Sequence, residues 1–227
     1  MNLPALFLCL TAAIASAQVP LEEYSTNHVT HGPMLGLVTE NSVKVWARTH
    51  RAGEFAVRYG VSAENLDQTS APVPTSADRD HTGSITLAGL KPQTHYHYQI
   101  FIGKVPSGPG GSFWTLPSAA AHREATHNPK GLFNFRFQFG SCANQNPKSG
   151  IGPSLPTHAT MLRELHGKTL FSIMNGDFIY EEHRSMPAAD WLMQAGLTPQ
   201  QAPRLVNLVP NIVGLWENYK TYLSRGV

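Results

Sequence analysis

Five short segments between residues 42 and 117 alternate apolar and polar side chains, and this period of two constrains the fold more than any other feature. The segments are SVKVWAR, EFAVRYG, HTGSITLAGL, THYHYQIFIG and GGSFWTLP, separated by turn-forming residues. Alternation puts every second side chain on one face, so each segment predicts a half-buried strand. Several short strands at this spacing are typical of an antiparallel β-sandwich. Val43, Val45 and Ala47 are expected in its core, and so is Trp46.

The segment LAGLKPQTHYHYQI resembles the late-strand signature of fibronectin type III domains. The residues in matching places are Leu90, Pro92, Thr94, Tyr96 and Tyr98. The resemblance implies that the leucine packs inside the sandwich and that a tyrosine caps the corner between strands. His95 and His97 are expected on the polar face of this strand rather than at a metal.

The pattern changes after residue 117. Residues 118–131, SAAAHREATHNPKG, have no periodicity and predict a linker. LFNFRFQFGSC predicts a strand because four phenylalanines alternate in it, and PTHATMLRELHGK and TLFSIMNGD predict a helix and a second strand. A strand, a helix and a strand form a βαβ unit, which normally has parallel strands. The later segments PAADWLMQAG, TPQQAPRLV and NIVGLWENYKTYLS predict helices, with no further strand.

Polar residues follow both predicted strands of this unit. Cys142 and Asp177 are the last residues of the two segments, and Tyr180 is near enough in the chain to fold back toward the same point. Functional residues of α/β sheets lie beyond the carboxyl ends of the strands. A thiolate, a carboxylate and a phenolate together favour iron or zinc over a purely calcium or magnesium site. Without a metal, burying such a cluster would be costly.

Each of these residues also has a structural interpretation. Cys142 could be a small buried apolar residue, and Tyr180 could belong to the core. Asp177 could cap the helix that follows it, since acidic residues are good N-caps. Ser141 is expected in a turn, because no G-x-S-x-G elbow surrounds it.

Residues 1–17, MNLPALFLCLTAAIASA, predict a signal peptide. Their apolar stretch is too short for a membrane span, and Ala15-Ser16-Ala17 forms a small-x-small cleavage site. The mature protein is therefore expected to be secreted or periplasmic, without a membrane span. The net charge is only +2, from 17 Lys and Arg against 15 Asp and Glu, so the composition gives no support for nucleic-acid binding.

The motifs FQFGSC and NGDFIYE resemble the opening metal motifs of the PhoD-type alkaline phosphatase/phosphodiesterase family. In that family a fibronectin-like domain also precedes the metallophosphatase domain. The element G-D-x-x-Y is similar, too, to the iron site of purple acid phosphatases. The resemblance implies a centre of ferric iron and calcium, with Asp177 bridging the two metals and with Cys142 and Tyr180 on the iron. LWENYKTYLS resembles the helix that follows the motif in the family.

The expected fold is therefore two-domain, an all-β fibronectin III-like sandwich followed by the truncated start of an α/β metallophosphatase domain. The predicted boundaries are a signal peptide at 1–17, the sandwich at 29–117, a linker at 118–131 and a partial metallophosphatase domain at 132–227. The family's later Asn, Asp and His ligand motifs have no counterpart, because neither Trp191 nor Trp216 is followed by an acid-acid-His sequence. A fragment, a split gene or a degraded family member is expected.

The leading functional hypothesis is a secreted metal-dependent phosphoesterase that acts on a phosphate ester and has little activity as this chain alone. The alternative is a non-catalytic secreted remnant whose β-sandwich serves as a binding module. A hydrolase of another class, such as a serine esterase, is disfavoured by the missing triad signature. The sequence does not define the substrate within the phosphate esters, and it does not define the oligomeric state.

Overall fold

The computed structural model describes residues 26–142, 156–177, 180 and 185–223, and a β-sandwich forms its first part. One sheet is antiparallel with the order β1–β2–β6, from β1 (Val29–Gly36), β2 (Ser42–Thr49) and β6 (Thr82–Ala88). The other sheet pairs β3 (Gly53–Gly60) with β7 (His95–Ile102), and its short edge strands are β4 (Gln68–Thr69), β5 (Val73–Thr75), β8 (Val105–Pro106) and β9 (Gly111–Trp114). The predicted sandwich is confirmed, although β1 and the two- and three-residue strands were not predicted.

The core lies between the two sheets and follows the predicted alternation. Val43, Val45 and Ala47 of β2 are completely buried, and from the facing sheet Phe55 and Ile100 are buried as fully. Burying one such large apolar side chain contributes about 1.5–3 kcal/mol, so this alternation is the main source of the sandwich's stability.

A tyrosine corner joins the strands at the end of β6. The Tyr96 hydroxyl accepts a hydrogen bond from the backbone N–H of Lys91 at 3.0 Å, and Leu90 beside it is buried. The Thr115 hydroxyl donates to the Lys91 carbonyl at 2.6 Å. The corner predicted from the fibronectin-like signature is therefore confirmed.

A βαβ unit follows the sandwich. Strand β10 (Phe137–Gly140) pairs in parallel with β11 (Phe171–Met174), and the intervening segment includes a helix at Pro156–Leu165. The predicted parallel pairing is confirmed, but the first strand is shorter than predicted. Phe133 and Phe135 precede β10, and each of the two strands contributes four residues to the pairing.

The segment predicted as a linker, 118–131, contains a single helical turn, α1 (Ala119–His122). Glu124 and Asn128 then form an isolated antiparallel bridge. The Asn128 side-chain amide donates to the carbonyls of His122 and Leu132, both at 2.8 Å. Side-chain hydrogen bonds therefore order this segment, although its sequence has no periodicity.

The helices are numbered with the βαβ helix Pro156–Leu165 as α2, and the remaining three are α3 (Ala188–Gln194), α4 (Arg204–Leu208) and α5 (Ile212–Leu223). They enclose a small second core around Trp191, Leu192 and Val206. The Trp191 indole N–H donates to a Glu217 carboxylate oxygen at 2.8 Å, which joins α3 to α5. Across the described ranges, every helix is too short or too polar to cross a bilayer.

Trp46 does not lie in the core of the sandwich, and that prediction is wrong. The period of two that buries Val45 and Ala47 turns Trp46 to the opposite face of β2, where it is half-buried. There it lines a cavity together with Trp216 and Lys220 of α5. Packing of a helix against the outer face of the sheet, rather than the sandwich core, covers this side chain.

Candidate metal centre

The two parallel strands of the βαβ unit end side by side. Gly140 and Met174 form the last pair of the register, and the Asn175 N–H donates to the Gly140 carbonyl at 2.7 Å just beyond it. Cys142 lies two residues after the end of β10, and Asp177 three residues after the end of β11. Parallel pairing thus delivers both side chains to the same edge of the sheet.

Cys142 and Asp177 are in direct contact at this edge. The Cys142 thiol donates to Asp177 Oδ2 at an Sγ–Oδ2 distance of 3.0 Å, and the Ser141 hydroxyl donates to the same sulfur at 3.6 Å. Both side chains are exposed. The interpretation of Cys142 as a small buried apolar residue is therefore wrong, because its sulfur faces solvent and a carboxylate.

The backbone is left-handed at both residues. Cys142 has φ 63°, Asp177 has φ 50°, and Gly176 between β11 and the aspartate has φ 92°. For a residue with a β-carbon this conformation costs roughly 1–2 kcal/mol. Such strain is kept where the surrounding structure holds a residue in place, and functional sites are common among those places. Here it turns the two side chains toward each other.

Tyr180 completes the group. Its half-buried phenol hydrogen-bonds the Cys142 side chain. Loss of solvent around the phenol is the largest cause that raises the pKa of Tyr180, followed by the hydrogen bond to Cys142 and the negative charges of Cys142 and Asp177. Three side chains with acidic protons therefore meet at one point, and Cys142 and Asp177 oppose the ionisation of the Tyr180 phenol. Residues 178–179 and 181–184 lie outside the described residues, so the helix-cap hypothesis for Asp177 stays a prediction.

The donor atoms of this group suit one metal ion. Thiolate, carboxylate and phenolate match the preferences of ferric iron or zinc. In the part of the chain that the structure describes, no three His, Cys, Asp or Glu side chains form a metal-binding group, so the phenol of Tyr180 is needed as the third ligand. Calcium requires six to eight oxygen ligands. Among the described residues this group offers one carboxylate and one phenol as oxygen ligands, so a calcium site does not fit them.

Residues 13–117 match the N-terminal domain of PhoD-like phosphatases. The chain carries a PhoD-like phosphatase N-terminal domain. The match ends at Pro117, before the βαβ unit begins.

The structure of PhoD superposes on this chain with a TM-score of 0.55 at 19% identity, and the match covers 87% of this chain. It covers 37% of the PhoD chain, so this sequence spans well under half of that protein. At this identity the likeness shows the fold alone. No curated protein matches the chain.

Two β-sandwich proteins are also similar over part of the chain. The sensor domain of the anti-sigma factor RsgI4 from Pseudobacteroides cellulosolvens is 16% identical, with a TM-score of 0.33, over 41% of this chain and 92% of its own. A fibronectin type III domain of human collagen XX is 17% identical, with a TM-score of 0.28, over 37% and 88%. These scores are too low to support any inference about function.

Sequence reasoning missed a second polar cluster, centred on buried Asp80. The Asp80 carboxylate accepts hydrogen bonds from Arg48 Nε at 3.2 Å and Arg48 Nη2 at 3.1 Å, and it lies 3.2 Å from Lys220 Nζ. The cluster joins β2, the turn before β6, and α5. Its members are far apart in sequence and share no motif, so no local signal could have revealed it.

Proposed function

We propose that this chain is part of a secreted metal-dependent phosphoesterase and that Cys142, Asp177 and Tyr180 bind its iron. The observation that carries the proposal is the 3.0 Å contact between the Cys142 sulfur and the Asp177 carboxylate at the carboxyl ends of two parallel strands. The match of the preceding sandwich to the PhoD-like family supports a phosphate ester as the substrate.

The protein's own contribution to this site is electrostatic and geometric. Cys142, Asp177 and Tyr180 form a pocket of potential negative charge that a cation would neutralise. The exposure of Cys142 and Asp177 leaves an open side for substrate. A bound ferric ion would polarise a phosphoryl oxygen and make bound water more acidic. Asp177 Oδ2 and Cys142 Sγ are already in contact, so both side chains would hold the same ion.

The βαβ unit supports the further proposal that it begins the phosphatase domain. Phe137, Phe139 and Ile173 lie on its two strands, and their side chains are 48%, 66% and 41% exposed. Parallel sheets ordinarily have both faces covered. We infer that this sheet belongs to a larger α/β domain whose other elements cover these side chains.

A consequence is that the chain by itself turns over little or no phosphate ester. A two-metal hydrolase needs ligands for both ions, an open position for water and contacts for the phosphate. The described residues supply ligands for one ion. A partial site also binds metal weakly, because few bonds offset the ordering of the ligands.

The test is an equilibrium titration of the purified chain with iron and with zinc. Cys142→Ser, Asp177→Asn and Tyr180→Phe should each weaken binding at least about tenfold, as expected for loss of a ligand. The matched controls Asp67→Asn and Tyr98→Phe should leave the affinity unchanged. Equal affinity in all variants would reject the site, and no binding at all would favour a non-catalytic module.

Activity is tested separately, with an aryl phosphate monoester and a diester supplied with iron and calcium. The expected result is turnover close to that of the buffer. Sustained turnover that Asp177→Asn abolishes would contradict the expectation of low activity, and it would mean that the chain contains ligands beyond these three.

A further inference from the structure

A cavity of about 250 Å³ lies between the outer face of the β1–β2–β6 sheet and helix α5. Trp46 projects into it from the sheet, and Trp216 and Tyr219 project into it from the helix. Trp216 also packs against Trp191, with ring centroids 5.5 Å apart. The cavity shares no lining residue with the candidate metal centre.

The charges on the cavity wall do not cancel. Arg48 and Lys220 both contact the Asp80 carboxylate, and Lys220 also lies 2.7 Å from a Glu217 oxygen. Two cations are thereby matched by two anions. Arg79 lines the same cavity, and among the described residues its guanidinium has no ion-pair partner. One uncompensated positive charge therefore remains, on an exposed side chain.

The wall is also held rigidly. Asp80 and His81 both have left-handed backbones, with φ 48° and 58°, directly after Arg79. Arg48 donates two hydrogen bonds to the Asp80 carboxylate and a third to Thr30 Oγ1 at 2.9 Å. The imidazole Nδ1 of His31 lies 2.9 Å from Thr30 Oγ1, and burial, then the charges of Arg48 and Lys220, lower the pKa of His31.

We propose that this cavity binds a small anion with a single flat ring. The ring would lie against Trp46 and Trp216, where aromatic side chains favour stacked or edge-to-face contacts. The anionic group would pair with Arg79, whose planar fork suits a carboxylate or a phosphate. The cavity is smaller than the roughly 300–1,000 Å³ of pockets for drug-sized ligands, which restricts the ligand to one ring.

The test is to titrate the full chain with four probes and follow the indole N–H signals by NMR. Benzoate and phenyl phosphate carry both ring and charge, benzyl alcohol carries the ring alone, and inorganic phosphate carries the charge alone. The signals of Trp46 and Trp216 should shift with the two ring anions, while Trp114 on the other sheet stays unchanged. Preference for benzoate or for phenyl phosphate would identify the anionic group.

Substitutions in the cavity test whether the probes bind there rather than elsewhere on the protein. Arg79→Gln should weaken both ring anions about tenfold, the effect expected for a lost charged hydrogen bond, and leave benzyl alcohol unaffected. Arg163→Gln removes an exposed arginine on α2 and should change nothing. Trp46→Leu should weaken every ring probe. Equal affinity for all four probes, equal effects of the two arginine variants, or shifts confined to other tryptophans would overturn the proposal.

Discussion

Replacing Asp80 with asparagine should loosen the attachment of α5 to the sandwich. The substitution keeps the size of the side chain but removes the charge that Arg48 and Lys220 share. The three side chains are only 7%, 13% and 18% exposed, respectively, so water can replace the carboxylate only in part. Two cations are then left close together without the anion between them.

The expected cost follows from this burial. Removing one partner of a fully buried ion pair costs about 3–5 kcal/mol. Lys220 retains Glu217 at 2.7 Å, and asparagine keeps one oxygen acceptor, which places Asp80→Asn at about 2–3 kcal/mol. For a chain of this size that corresponds to a melting temperature lower by about 4–12 °C.

The assay is urea unfolding followed by circular dichroism, together with hydrogen exchange of the α5 amides. The matched control is Asp67→Asn, which alters an exposed aspartate without an ion pair among the described residues. We expect faster exchange in α5 and a clear loss of stability for Asp80→Asn alone. A change below about 0.5 kcal/mol, equal to that of the control, would show that the cluster does not hold the helix.

Tyr96→Phe should cost about 1–1.5 kcal/mol in urea unfolding, because it leaves a backbone N–H of the tyrosine corner without its acceptor. Tyr98→Phe serves as the control, and equal costs would contradict the role of the corner. Stability should also fall as the pH drops below about 6.5, because burial, followed by the charge of Arg48, lowers the pKa values of His31 and His81 in the fold, so the unfolded chain takes up protons first. A urea midpoint that does not change between about pH 7.5 and 5.5 would contradict this. Amino-terminal sequencing of exported protein should begin at Gln18, and retention of the leader would reject the signal peptide.

The parts of the fold that could be predicted are those governed by local rules. Strict alternation along β2 placed Val43 and Val45 in the core, and the fibronectin-like spacing placed the Tyr96 corner. The rule that functional side chains follow parallel strands predicted Cys142 and Asp177 at one edge of the sheet. In the structure they are in contact there.

The remainder depends on contacts between distant segments. Trp46 fits a core position by composition, but its face of β2 meets α5, and nothing near Trp46 in the sequence specifies that helix. Asp80 forms ion pairs with Arg48 and Lys220, which belong to other elements and are distant from it in the sequence. The alternation of phenylalanines begins before β10. The strand itself includes only the residues that pair with β11, and the local sequence does not specify that pairing.

X-ray absorption spectroscopy of the iron-loaded chain tests most directly whether Cys142, Asp177 and Tyr180 hold one ion. We expect a first coordination shell with a single sulfur and several oxygen neighbours, and loss of the sulfur in Cys142→Ser. A shell of oxygen and nitrogen alone in the unaltered protein, unchanged by Cys142→Ser, would contradict it.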